Sequence, residues 1–199
     1  MSDIILTSAL PGAPIRNFTD FINQHAECHR PAVESKSHLQ AVWFYENETF
    51  DQYKANVEYV EGKSMAISVR PEPDLWGDMT PEWFASFAQP AQVSKVIVFT
   101  LPESATNVFD KIQAIADTSD VLFYDDVATM KVTNNEFNAE IDSRLHDYSQ
   151  AHPFIWNLID MYKLLNKDRA EYERLVNLLG LEPLDDWKAR IDQIVADWF

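Results

Sequence analysis

The run Lys95-Val96-Ile97-Val98-Phe99-Thr100 constrains the fold more than any other stretch of this sequence. It is almost continuously apolar and rich in β-branched residues, the composition of a strand buried on both faces. Leu101-Pro102 closes it. Val108, Ile112 and Ile115 then recur at helical spacing, with Phe109 and Ala116 beside them, so one face of a helix can lie back on a sheet. Val121-Leu122-Phe123-Tyr124 reads as a second strand, ended by Asp125-Asp126. The connection is long enough for a crossover helix and too long for a hairpin, which predicts a right-handed parallel unit.

Shorter strands are expected elsewhere. Ile4-Ile5-Leu6-Thr7 comes first, before a turn at Pro11-Gly12; Leu39 to Tyr45 and Met65 to Val69 follow. Ile15, Phe18, Ile22 and Ala26 mark a helix that Pro31 would stop. Phe50, Tyr53, Val57 and Val60 mark another, with Thr49 and Gln52 placed as a capping box and Gly62 as its stop. After the central unit, Met130-Lys131-Val132 suggests an edge strand. Helical periods then run through Phe137 to Tyr148 and through Phe154, Leu158, Tyr162 and Leu165 after Pro153. Asp168 with Glu171 should cap a further helix that ends at Gly180, and Trp187, Ile191 and Ile194 mark the last.

At 199 residues, 46% of them hydrophobic, the chain can build one sizeable core, and no linker-like boundary divides it. The expectation is a single α/β or α+β domain over residues 1–199. It should have a central sheet of about four to six partly parallel strands, flanking helices, and a helical layer over 134–199.

Motif chemistry is sparse. The four glycines, Gly12, Gly62, Gly77 and Gly180, lie too far apart for a Walker loop, a dinucleotide fingerprint or a nucleophile elbow, and no cofactor is expected. Cys28 is the lone cysteine, so neither an internal disulfide nor a cysteine zinc cluster can form, and a reducing, cytoplasmic setting fits. The first residues lack a signal-peptide pattern, and no run approaches the length of a membrane span. His25 and His29 fall four apart on the expected helix and could share a metal ion given a third ligand; the plainer reading is a polar helix border.

The formal charge of −16 is spread along the chain and not gathered in a tail. Such a field repels nucleic-acid phosphates and anionic membranes and attracts basic partners, although solubility alone also favours it. Asp74, Trp76 and Asp78, with Trp83 on a short helix after Thr80-Pro81, place aromatics among acids as a binding surface could. These features favour a non-catalytic acidic protein that masks a basic protein partner, of the inhibitor or immunity type. One alternative is a metal-assisted hydrolase built at the carboxyl ends of parallel strands, where Glu46, Arg70, Asp125 and Asp126 would gather near Thr100 and Glu103. Another is a DNA mimic, which needs its carboxylates in duplex-like rows.

Overall fold

The computed structural model describes residues 2–10, 12–29, 60–68, 91–118, 125–151 and 155–198. Among them are four strands, β1 (Ser2–Ala9), β2 (Met65–Ser68), β3 (Ala91–Thr100) and β4 (Ile155–Asp160). Six helices accompany them: α1 (Ile15–Ile22), α2 (Thr106–Ala116), α3 (Val127–Ala151), α4 (Met161–Leu165), α5 (Arg169–Leu179) and α6 (Trp187–Trp198). The strands form one parallel sheet in the order β2-β1-β3-β4, so the fold is α/β. The expected strands at Leu39–Tyr45 and Val121–Tyr124, and the helix expected between Thr49 and Gly62, lie outside the described residues apart from the last few positions of that helix.

The central run behaves as its composition demands. Register pairs Thr7 with Ile97 and Ala9 with Phe99, and β4 continues the row with Asn157 and Ile159. Side chains alternate along a strand, so Ile5, Ala9, Ile97, Phe99 and Ile159 share one face; they pack with α1, α4, α5 and α6 in one buried cluster. Ile4, Leu6, Val96 and Val98 point to the opposite face and are equally buried. Both hydrogen-bonding edges of β3 are occupied, by β1 and β4.

Three expectations are corrected. Met130–Val132 is helix α3, not an edge strand: Met130 is fully buried while Val132 is 57% exposed, whereas in a strand the two would share a face. The helix expected from Pro153 begins only at Met161, because Ile155–Asp160 forms β4. Leu158, Tyr162 and Leu165 keep a helical spacing by coincidence, across a strand and the helix that follows it. Finally α1 stops at Ile22, so His25 and His29 are not on a helix. His25 lies in the following turn, and His29 follows the Cys28–Ser64 bridge.

The C-terminal helices follow the pattern of the sequence. Asp168 accepts a bond from Glu171 N (2.9 Å), and Gly180 ends α5 at φ 68. Tyr172 stacks on Trp187 with ring centroids 4.3 Å apart, and its hydroxyl accepts from Leu184 N (2.7 Å), which ties α5 to the approach of α6. β4 nevertheless lies inside this C-terminal region and completes the sheet.

Candidate functional site

Chain order along the sheet reverses between β1 and β3: β1 is followed to one side by β2, while β3 and β4 extend the other way. At such a switch point the loops leaving the carboxyl ends of the two central strands diverge and leave a crevice, the usual ligand position in open parallel sheets.

The first wall is the β1–α1 loop. Leu10 ends the strand region, Gly12 turns at φ 89, Ala13 N donates to Leu10 O (3.0 Å), and Ile15 N donates to Ala13 O (2.7 Å). That φ favours glycine, so Gly12 suits this bend. α1 then starts at Pro14 with no side-chain cap and no acid in its first turn, where Arg16 stands second. Below the loop the helix is fixed to its strand. Thr19 donates its hydroxyl to Ile15 O (2.8 Å), so the 2.7 Å contact between the Thr7 and Thr19 hydroxyls has Thr7 as donor. Phe18 packs on Phe99 of β3 with ring centroids 5.1 Å apart, bridging the two central strands.

The second wall leaves β3. Ala105 N donates to Pro102 O (2.9 Å), and α2 starts at Ala105, again without a side-chain cap or a first-turn acid. α3 braces this loop: the buried Asn134 amide donates to Leu101 O (2.9 Å), and Asn135 donates to a Glu103 carboxylate oxygen (2.8 Å). Thr100 and Glu103 therefore stand at the carboxyl end of a parallel strand, as the sequence suggested.

The contrast with other helices is informative. Asp126, Asp160 and Asp168 accept backbone N–H bonds at the starts of α3, α4 and α5. Residues without a capping side chain, Pro14 and Ala105, begin α1 and α2, the two helices beside the switch point. An uncapped helix start presents unpaired N–H groups and positive potential, which suits an anionic or carbonyl oxygen.

Of the anticipated site residues, Asp125 and Asp126 are among the described ones. Asp126 caps α3 through Thr129 N (2.7 Å), and those Thr129 bonds hold its carboxyl below the usual carboxylate value. Asp125 is exposed just before it. Glu46, Arg70, Asp74, Trp76, Asp78 and Trp83 lie outside the described residues.

His25 is buried among apolar groups, its Nδ1 3.0 Å from Ile22 O and its ring edge-on to Phe21 at 5.5 Å. Desolvation lowers its pKa. Burial pushes the neighbouring Cys28 thiol up to about 11, a value that leaves no useful thiolate at neutral pH. Among the described residues no three His, Cys, Asp or Glu side chains gather as a metal site.

Sequence reading saw Pro11-Gly12 only as a turn and passed over Arg16, Ser104 and Thr106. Their one local signal is the absence of Ser, Thr, Asp or Asn at Pro14 and Ala105; their convergence depends on strand order, which is non-local. Comparison with known proteins returns no matching family model, curated relative or solved structure.

Proposed function

We propose that the protein binds a small molecule bearing an anionic group, seated across the carboxyl ends of β1 and β3. The observation that carries this reading is the reversal of strand order there, flanked by two helices that begin without side-chain caps. A chain with net charge −16 repels anions at long range, so such a ligand needs short-range donors. The Gly12 amide, Arg16, and the amides and hydroxyls of Ser104, Thr106 and Asn107 are the groups that would supply them, since Ala13 N, Ile15 N and Ala105 N are engaged within their own loops. No acid occupies the first turn of either helix, and Glu103, the acid of the β3–α2 loop, has one carboxylate oxygen engaged by Asn135.

Amide shift mapping with a panel of inorganic phosphate, sulfate, nucleotides and sugar phosphates tests this. A member that binds should perturb Gly12, Ala13, Arg16, Ser104 and Thr106 and raise the melting temperature, because a ligand of the folded state stabilises it. Arg16→Gln should weaken that ligand, read as a smaller rise in melting temperature over the variant's own unliganded value.

A second reading, favoured by the charge itself, is a cytoplasmic acidic protein that masks a basic protein partner, as an inhibitor or immunity factor does. Its mark would be salt-sensitive capture of a basic protein with no shift at the β1–α1 and β3–α2 loops from any small anion.

A further inference from the structure

We infer that the turn carrying His25 is an acid-released latch that holds the β2 edge of the sheet. The imidazole is 2% exposed. Its Nδ1 faces Ile22 O, so in the neutral ring that nitrogen carries the hydrogen, and the bare lone pair on Nε2 is buried without a hydrogen-bond partner. Protonation puts a hydrogen and a positive charge at that atom, where no acceptor stands. The proton is accommodated only if the ring leaves its pocket, since an unpaired buried charge is far costlier than an unpaired buried lone pair.

The charged groups around the ring do not rescue it. Desolvation of the buried ring is the largest influence and disfavours its charged form; the Ile22 and Phe21 backbone bonds and Glu27 of the same turn favour that form, Arg190 of α6 opposes it, and desolvation prevails. Lys63, from the turn before β2, donates to Ala26 O. Phe21 on α1 supplies an aromatic edge, and Phe21 packs in turn on Tyr172 of α5.

What the turn holds is the start of β2. Ser64 N donates to Glu27 O (2.9 Å), His29 N donates to Ser64 O (2.7 Å), and Cys28 N closes the turn on His25 O (3.0 Å). Withdrawing the ring unties that set while β1, β3 and β4 keep their own ladders.

Cys28 reports the opening, because it is the only cysteine in the chain and is 7% exposed within the same turn. The measurement is the rate of labelling by dithiodipyridine in the native protein, divided into the rate for the urea-unfolded chain at the same pH, from pH 5 to 8. This ratio cancels the pH dependence of the thiol chemistry and leaves the protection conferred by the turn. Protection should be level above about pH 7 and fall up to about tenfold per pH unit below about 6.5, the ordinary histidine pKa. In His25→Gln it should be level throughout. Protection that stays constant in the wild type, or rises on acidification because Glu27 captures the new cation, overturns the latch; so does an unchanged slope in His25→Gln. If that variant does not fold, wild-type ring titration by NMR decides. A His25 ring that titrates at or above its ordinary value with Cys28 still protected overturns the inference, and protection lost while the folded ring stays neutral supports it.

Discussion

Asn23 holds Ala66 by both of its backbone groups: its Nδ2 donates to Ala66 O at 2.9 Å and its Oδ1 accepts from Ala66 N at 2.8 Å. A side chain just past the end of α1 thus does for β2 what a neighbouring strand would. Both bonds are buried, so Asn23→Ala leaves a donor and an acceptor without partners. The expected destabilisation is about 2–4 kcal/mol in urea unfolding, since each buried orphan costs about 1–3 kcal/mol. A loss under about 1 kcal/mol would show that Ala66 finds other partners.

Gly180 closes α5 at φ 68, where a Cβ would meet only Lys95 Nζ at 3.7 Å, an ordinary contact. Crowding therefore adds nothing, and backbone conformation alone sets the effect. Gly180→Ala should cost about 1–2 kcal/mol and Gly180→Asn less, because asparagine tolerates the left-handed region better. Equal losses for both, read from chemical denaturation, would contradict this.

Asp126 should titrate below its ordinary value of 3.8, because Thr129 donates to the carboxylate from its backbone and side chain. A carboxyl with a depressed folded pKa stabilises above the unfolded value, and that contribution is lost as pH falls from about 3.8 toward the folded pKa. NMR titration of the side-chain carboxyl tests this directly. In Asp126→Asn the matching part of the acid-induced loss of stability should disappear.

Much of this architecture is legible in local sequence, for physical reasons that also mark where legibility ends. Val96 to Phe99 must be buried on both faces because no polar residue interrupts the run. Asp168, Glu171 and Gly180 bound a helix because each has a specific task at a helix end. Ile155 to Ile159 reads as helix because Leu158, Tyr162 and Leu165 satisfy a helical period across the junction at Asp160, and one residue cannot report that it caps the next element. Met130 does not announce its helix because the inward position a turn later, Asn134, is polar. Its amide is spent on Leu101 O, a partner 33 positions away. The candidate site was hidden for a related reason. Gly12 and Ser104 look unremarkable alone, and only the order β2-β1-β3-β4 puts their loops at the carboxyl ends of adjacent strands.

Lys95 gives the last prediction. It begins the apolar run of β3, yet its ammonium donates to Leu179 O at the carboxyl end of α5. The stem crosses from the sheet to the helix layer, and the cation meets a carbonyl that the helix itself leaves unpaired and that carries the negative end of its dipole. Lys95→Met keeps the stem and removes the charge, so the expected loss is about 0.5–2 kcal/mol, within the range for a partly buried cation at a helix end. Lys95→Ala removes the stem as well and should cost more, by about 1 kcal/mol or above for the lost methylenes. The pair separates charge from packing in urea unfolding: equal losses would assign the whole effect to the ammonium, and no loss in Lys95→Met would assign it to the stem and overturn the helix-end role.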